Sequence, residues 1–257
     1  MESIKNKRGY NGMNFKIYCK EYKNIFEERR NNKVADEVFV EDGIVCPELW
    51  FAQQVRPLFL LKEAYGGTSD WSLLKHLMEN SQVIGPTWRK VIQWTYGILG
   101  TDVGSIPIFD ANEIDQIKYG NGLLKHIAVM NVKKTSGKPN SEMKIIKNAA
   151  EKDKYELRKQ IALCDPTVII CGYTMEALNI IMENEDGVKI KDESNRNQNW
   201  YYKFELNGKE IIVLDYYHPS NQFPDLLNYY ALMHIYQLAL QDNQKAKVRV
   251  EIPINSN

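Results

Sequence analysis

The sequence predicts an α/β protein, a three-layer α/β/α sandwich with a mainly parallel central sheet. Short β-branched runs alternate with helical patterns across residues 57–242, the order expected when helices cover both faces of a parallel sheet. At 257 residues, 44% of them apolar, the chain can bury a large core. Because no internal repeat is present, we expect one domain, with an N-terminal helical extension (1–50), a core (56–242) and a tail (243–257).

The N-terminal part is predicted to hold two helical regions around one strand. Apolar residues at spacings of three and four predict a packing helix over 14–32. LFLL (58–61) predicts a buried strand, and the paired glycines in KEAYGG (62–67) predict a loop after it. The aromatic-rich stretch 70–100 predicts helical structure that packs against the core.

The middle of the chain repeats the pattern of strand, loop and helix. HIAVMN (126–131) predicts a strand, and VKKTSGKPN (132–140) predicts a basic, turn-rich loop. Residues 142–164 are helical in pattern, TVIIC (167–171) predicts another strand, and TMEALNIIMEN (174–184) predicts a helix.

A hairpin and a long helix are predicted near the C terminus. WYYKFEL (200–206) and KEIIVLDYY (209–217) flank Asn-Gly, the strongest short hairpin signal. The last helix is expected over 224–242, and the tail ends in KVRVEIPI, either a short edge strand or an ordered tail. One face of that helix is predicted to carry Leu227, Tyr230, Ala231, His234, Ile235 and Leu238.

Charge and cysteine content exclude several classes of protein. Thirty-three basic and thirty-three acidic side chains cancel, so any nucleic-acid site must be a local patch. The four cysteines form no CxxC pair, and we expect free thiols with no zinc site and no disulfide framework. No secretion signal or membrane-spanning stretch is apparent, so we expect a cytoplasmic monomer with no membrane partner.

Polar signatures follow three of the predicted parallel strands: KEAYG, NVKKTSG and HPSN. Carboxyl ends of parallel strands meet at one edge of a sheet, so these signatures are expected to converge on one crevice. Each has an ordinary interpretation as well. His218 alone is either an active-site group or a turn-bonded histidine, Asn131 an Asx-turn residue and Glu63 a solvated carboxylate.

The order of these motifs resembles that of the uracil-DNA glycosylase superfamily. KEAYG (62–66) is similar to the Gly-Glu-Ala-Pro-Gly of one branch, NVKK (131–134) to Asn-Val-Val-Lys, and HPS (218–220) to the family's His-Pro-Ser. Residues 157–178 resemble the intervening helix, strand and glycine. The resemblance covers about residues 56–240 and implies a uracil-DNA glycosylase-like fold.

The resemblance implies a function and a set of site residues. It implies a DNA N-glycosylase that flips and excises a damaged or modified pyrimidine, uracil or a phage-type modified cytosine, and leaves an abasic site. Glu63 would orient or activate water, and His218 would donate a hydrogen bond to the departing base. Asn131 would read the base edge, with Tyr65 and Ala64 beside it. The implied DNA contacts are Lys133, Lys134, Ser136, Ser220, Asn221 and Phe223.

Departures from the family pattern bear on the substrate more than on the fold. Tyr65 replaces a proline and Lys62 a glycine, which predicts a different base pocket. Thr135 stands where the iron–sulfur branch has a cysteine, so we expect no cluster and no other cofactor. Trp71, Trp88 or another aromatic residue would have to stack on the base.

Two other functions stay open at this point. One is a catalytically inactive nucleic-acid-binding protein on the same fold, since the net charge is neutral and the first motif is unusual. The other is a small-molecule hydrolase or transferase, although no glycine-rich phosphate loop is present. Phe223 is likewise either a wedge into the gap left by a flipped base or the first core residue of the last helix.

Overall fold

The structure is a computed structural model of the chain. It describes residues 12–34, 36–79, 85–112, 114, 122–138, 141–184, 187–191 and 200–254. The strands are β1 (Val40–Glu41), β2 (Gly43–Ile44), β3 (Pro57–Tyr65), β4 (Trp71–Ser72), β5 (Ala128–Gly137), β6 (Val168–Gly172), β7 (Tyr201–Leu206), β8 (Lys209–Tyr216) and β9 (Val248–Val250). The helices are α1 (Gly12–Asn32), α2 (Pro47–Ala52), α3 (Leu73–Glu79), α4 (Pro86–Gly100), α5 (Met143–Lys152), α6 (Lys154–Cys164), α7 (Met175–Met182) and α8 (Asp225–Gln241).

One sheet forms the centre of the molecule, and seven strands of the described residues belong to it, in the order β2-β5-β3-β6-β8-β7-β9. Strands β5, β3, β6 and β8 are parallel neighbours. Strand β2 pairs antiparallel with β5, and β7 pairs antiparallel with β8. The predicted mainly parallel sheet is therefore confirmed. Strand β9 pairs with β7, so an edge strand, and not an ordered tail, lies within the tail.

Helices cover both faces of this sheet, which gives the three predicted layers. One apolar core packs α1, α2, α5, α6 and α7 against Leu58 and Leu60 of β3. The other packs α3, α4 and α8 against Phe59 and Leu61. Alternate residues of β3 thus enter opposite layers, as the two-residue period of a strand requires. None of the described helices has both the length and the apolar content needed to cross a membrane.

The predicted hairpin joins β7 to β8. Asn207 and Gly208 have φ values of 49° and 75°, the two positive angles that a type I′ turn needs. Pairing between the strands places Tyr201 opposite Leu214, and the backbone N–H of Asp215 donates to Trp200 O at 2.9 Å. The start of β7 and the end of β8 therefore lie at the same edge of the sheet.

Two predicted loops are largely strand. The predictions of a loop at 62–67 and at 132–140 were wrong for most of both segments, because β3 continues to Tyr65 and β5 continues to Gly137. Glu63 pairs with Lys133 and Tyr65 with Gly137, across a register shift typical of a β-bulge. Pairing between the two strands overrides the low strand preference of lysine and glycine. Positions 139–140 lie outside the described residues.

The predicted face of the last helix is turned only partly towards the core, against which Ile235 and Leu238 pack. Leu227 is 63% exposed, whereas Asn228, Tyr229, Leu232 and Met233 are buried. Apolar residues occur all around α8, so the spacing does not single out one stripe. Contacts with α4 and with the sheet decide which side of the helix is buried.

A buried ion pair links the edge strand β2 and its neighbour β5 to the helix layer beneath them. Asp42, between β1 and β2, is 0% exposed, and its Oδ1 accepts Lys134 Nζ at 2.7 Å. The same atom accepts Gln160 Nε2 of α6 at 3.0 Å, and Oδ2 accepts the backbone N–H of Asn131 at 2.7 Å. Burial, offset in part by Asp42, lowers the pKa of Lys134 to about 8. The pair joins β2, β5 and α6 at one point.

We predict that removal of one partner of this pair is strongly destabilising. Lys134→Met leaves Asp42 as an uncompensated buried carboxylate and should lower the free energy of unfolding by about 3–5 kcal/mol. Adding Asp42→Asn removes that isolated charge, so the double variant should lose less than the sum of the two single variants. Denaturant unfolding of the four proteins measures the coupling.

The exposed pair Lys147–Glu176, at 2.8 Å, is the matched control. Its side chains are 45% and 68% exposed, so its coupling should be under about 1 kcal/mol. Additive losses at Asp42 and Lys134 would contradict the prediction.

Candidate functional site

The candidate site lies at the carboxyl edge of the four parallel strands. Leu61 of β3 pairs with Asn131 of β5, Leu60 pairs with Cys171, and Gly172 of β6 pairs with Tyr216 of β8. One row of residues therefore crosses four neighbouring strands. The three polar signatures lie at this row or just beyond it, so the structure brings them to one edge.

Gly172 allows the turn after β8 to approach the neighbouring strands. A Cβ atom there would lie 2.7 Å from Leu61 Cδ2 and 3.3 Å from Pro219 Cδ. Those distances leave no room for a side chain, so glycine permits Pro219 to pack over β6. The turn that carries His218 is thereby drawn across the sheet edge towards β3.

His218 is held as a neutral hydrogen-bond donor. Its Nδ1 lies 2.7 Å from Ser220 Oγ and accepts the backbone N–H of Ser220 at 3.2 Å. An accepting Nδ1 carries no proton, so this pattern assigns the proton of the neutral ring to Nε2. Burial, and then the positive charge of Lys62, lower the pKa of His218 to about 4. At physiological pH the ring is neutral and Nε2–H is a donor.

Asn221 closes the turn that carries His218. Its backbone N–H and its Nδ2 both donate to His218 O at 2.9 Å. Its Oδ1 accepts the backbone N–H of Phe223 and Nδ2 of Asn228, and buried Lys90 donates to its carbonyl oxygen. These groups are already used inside the protein, so the predicted DNA contact of Asn221 does not fit its position. Ser220 is exposed, and its role in DNA contact stays a prediction.

Asn131 lies inside β5, so the Asx-turn interpretation does not apply. The residue is 2% exposed, and its Nδ2 finds no acceptor among the described residues. Leaving such a donor unpaired costs about 1–3 kcal/mol, because its hydration is lost without replacement. A buried, unpaired amide at a sheet edge is the arrangement expected where a ligand supplies the missing acceptor.

Glu63 is already bound within the protein. Its Oε2 accepts Lys133 Nζ at 2.9 Å, and Lys133 also donates to the carbonyl oxygens of Thr135 and Ser136. The carboxylate packs where a Cβ of Gly137 would lie, 1.9 Å from Cδ. Burial raises the pKa of Glu63. Hydrogen bonds from Ser141, Lys133 and the backbone of Lys138 lower this pKa by more than burial raises it, so the net shift is downward. Glu63 is therefore an ionised carboxylate with a neighbouring cation.

The predicted DNA contacts of the second motif lie in different environments. Lys133 pairs with Glu63, and Ser136 donates its hydroxyl to Gly66 O at 2.7 Å. Lys134 is 4% exposed and bound to Asp42 in the opposite layer. The prediction that Lys134 contacts DNA was therefore wrong. Neighbouring residues of β5 point to opposite faces, so Lys133 and Lys134 cannot serve the same surface.

Aromatic residues surround the site. Tyr65 is 67% exposed at the end of β3, and Ala64 packs beside it against the second core. Phe223 is 52% exposed and lies before α8, so it is not the first core residue of that helix. Its ring lies 5.0 Å from that of Tyr217 in an edge-to-face contact. Trp71 donates Nε1–H to Gly66 O, while Trp88 packs against the second core, and both stay candidates for base stacking.

Two aromatic residues at this edge, Tyr173 and Trp200, were not predicted as site residues from the sequence. Lys62 Nζ lies 4.9 Å from the ring centroid of Tyr173, which directly follows β6. Tyr173 and Trp200 have φ values of 61° and 62°, a conformation that costs a bulky residue about 1–3 kcal/mol. The signal in the sequence was position, because Tyr173 follows the predicted strand 167–171 by two residues and Trp200 begins the predicted strand 200–206.

A scan of the sequence against models of known protein families finds no match. The family resemblance of the motifs therefore stays a prediction. Any functional conclusion depends on the geometry of the site in this chain.

We predict that Asn131 serves a ligand and not the fold. Asn131→Leu removes an unpaired buried amide and should leave the free energy of unfolding unchanged or raise it by about 1 kcal/mol. The control, Asn228→Leu, removes a buried amide that pairs with Asn221 and Phe223 and should lower it by about 2 kcal/mol. Equal losses in denaturant unfolding would show that Asn131 is structural.

We also predict that Lys62 adds to the effect of burial in lowering the pKa of His218. An NMR titration of the His218 ring should show a midpoint near pH 4, below the usual value of about 6.5. Protonation then favours the unfolded chain, so stability is full above about pH 6.5 and falls as the pH drops towards 4. Lys62→Met should raise the midpoint, whereas Lys75→Met, at an exposed position of α3, should not change it. A midpoint that is the same in both variants would contradict the prediction.

Proposed function

We propose that the protein is a DNA N-glycosylase that extrudes a damaged or modified pyrimidine and hydrolyses its bond to the sugar. One observation carries the proposal. The sheet edge combines a neutral imidazole with its proton on Nε2, His218, and a buried amide with an unpaired donor, Asn131. Asn131 lies on β5 and His218 follows β8, three strands away or about 14 Å at roughly 4.8 Å per strand, and the turn after β8 packs over β6, which lies between them. Both groups can donate a hydrogen bond to a carbonyl oxygen of a flat heterocycle.

In the proposed reaction the base leaves with the electron pair of the glycosidic bond. Negative charge develops on a carbonyl oxygen of the base, and the Nε2–H of His218 donates a hydrogen bond to that oxygen. A neutral imidazole is a very weak acid, so it stabilises this charge without giving up its proton. Water adds to the sugar carbon, and its proton is lost to solvent or to the released base.

Asn131 recognises the extruded base in this proposal. The Nδ2 donor meets a base carbonyl, and the amide oxygen accepts a ring or exocyclic N–H. Binding would supply the partner that Nδ2 lacks within the described residues. The free energy lost by burying an unpaired donor is then recovered only when a base with an acceptor at that position enters.

Glu63 and Lys62 set the electrostatics around the sugar and the base. A carboxylate that already accepts several hydrogen bonds is a weak base, so the role we propose for Glu63 is a fixed negative charge beside the oxocarbenium-like sugar. Lys62, close enough to lower the pKa of His218, supplies positive charge on the side of the departing base. The two charges oppose those that develop as the bond breaks.

The proposed substrate is a modified pyrimidine in DNA, in repair or in phage defence. Tyr65 stands exposed at the rim of the crevice, where the resembling family has a compact proline. A ring that projects into solvent leaves the mouth of the crevice open to a base with a bulky substituent. Exposed Lys138 and Lys144 lie near this edge and offer charge for the phosphate backbone.

A second candidate is a nucleic-acid-binding protein without catalysis. The observation that favours it is the ion pair of Glu63 with Lys133, which offsets the charge of the carboxylate. The site would then hold an extruded base without breaking its bond to the sugar.

A strand-cleavage assay tests the proposal. Oligonucleotides that carry uracil, other deaminated bases or phage-type modified cytosines are incubated with the protein and treated with alkali. We expect alkali-sensitive breaks at one base, slowed about 10²–10³-fold by His218→Ala, the loss typical of a donor to developing charge. The matched control is His234→Ala, because His234 is exposed on α8.

Three outcomes separate the alternatives. Breaks only at uracil would reject a modified base as substrate. Binding of DNA with no breaks at any base would favour the non-catalytic candidate. Equal activity in His218→Ala and His234→Ala would contradict the role of His218.

A further inference from the structure

At the edge of the sheet that carries His218, an aromatic residue lies at the end of each of four neighbouring strands or directly next to it. Tyr65 is the last residue of β3, Tyr173 follows β6 and Tyr217 follows β8. Trp200 precedes β7, which runs in the opposite direction, so it lies at the same edge. We call these four residues the aromatic edge. Tyr65 and Tyr173 are 67% and 57% exposed, so most of their surface is not used in the core, and Trp200 is 40% exposed.

The four strands that carry these residues are neighbours in the sheet. Neighbouring strands lie about 4.8 Å apart, so the row from β3 to β7 spans about 14 Å. Trp200 lies 5.3 Å from Tyr217, and Phe223 lies 5.0 Å from Tyr217 on the next turn. The contacts are tilted or edge-to-face, with interplanar angles of 56° and 62°, which leaves ring faces available to other flat groups.

Two of these residues have an unfavourable backbone conformation. Among the described residues other than glycine, positive φ occurs at Asp165, Tyr173, Trp200 and Asn207. Asp and Asn tolerate this conformation, whereas bulky residues rarely adopt it. The N–H of Tyr173 donates to Cys171 O and Tyr216 O at 2.8 and 2.9 Å, so the sheet itself fixes the strained turn. Such strain is typical of functional positions.

Positive charge accompanies the row. Lys62 Nζ lies over the ring of Tyr173, and Arg89, with its side chain 49% exposed, forms an ion pair at 3.6 Å with Asp225, two positions after Phe223. Cations next to exposed aromatic rings are the combination that binds unpaired nucleotides, because rings stack on bases while cations contact phosphates.

We propose that the aromatic edge binds single-stranded DNA beside the target nucleotide, with successive bases stacked on its rings. Rings can stack on the faces of unpaired bases, whereas a duplex hides those faces inside its own stack. The aromatic edge should therefore prefer single-stranded DNA. This inference rests on the proposed function, which identifies the ligand as DNA, and it adds a preference for single-stranded DNA.

The test uses DNA that contains no base to excise. The full chain is titrated into fluorescein-labelled oligothymidylate of about twelve nucleotides, and into the matching duplex, with anisotropy as the readout. We expect tighter binding to the single strand. Trp200→Gly and Tyr173→Gly should each weaken that binding about tenfold and leave duplex binding unchanged.

The variants are chosen so that loss of binding does not reflect unfolding. Glycine accepts positive φ without strain, which offsets part of the packing lost with each ring, so both variants should stay folded, as thermal unfolding checks. The control is Tyr155→Ala, which removes a 63% exposed ring from α6, on the far side of the sheet from α8. It should bind both DNAs normally.

Absent binding, equal affinity for both DNAs, or unchanged binding in both glycine variants would overturn the inference. If His218-dependent excision persists under any of these results, the inference fails and the proposed function stands. If the glycine variants lose single-strand binding and the protein excises no base, the inference stands and the glycosylase proposal is rejected.

Discussion

The structure depends on one buried carboxylate. Asp42 is fully enclosed, and its oxygens bind the ammonium of Lys134, the amide of Gln160 and the backbone N–H of Asn131. Its backbone carbonyl accepts the Tyr22 hydroxyl of α1 at 2.8 Å. A buried charge tolerates little displacement, since each lost partner leaves a desolvated group. The helix layer, the antiparallel edge strand and the parallel sheet are therefore held in one relative position, and that position fixes the Asn131 backbone.

The interior and the carboxyl edge of the sheet use charge differently. In the interior, the ion pair of Asp42 is enclosed. At the carboxyl edge, Lys133 and Glu63 pair, Lys62 lies over a tyrosine ring, and His218 is kept neutral by burial and by that lysine. A neutral imidazole needs no permanent negative charge beside it. Together with the neighbouring cation, it can stabilise an anion that forms only during a reaction.

The sequence was sufficient for the parallel strands, the hairpin and the three layers, because each depends on local apolar runs or on the Asn-Gly turn. It was insufficient where pairing between residues that are distant in the sequence decides the secondary structure. Residues 62–65 and 132–137 read as loops, yet each stabilises the other as strand. Once β5 is extended, the two-residue period separates Lys133 from Lys134, which explains why one of two adjacent lysines is buried. The internal bonds of Glu63 and Asn221 likewise come from residues that the sequence does not show to be neighbours.

Asp42 binds the main chain at Asn131, and nothing in the described residues binds the side-chain Nδ2. The fold therefore does not depend on a hydrogen bond from that side chain, whereas the proposed recognition of a base does. Under that proposal, architecture and specificity are separable at this position, so one substitution can change the group offered to a ligand without a compensating change in the hydrogen bonds of Asp42.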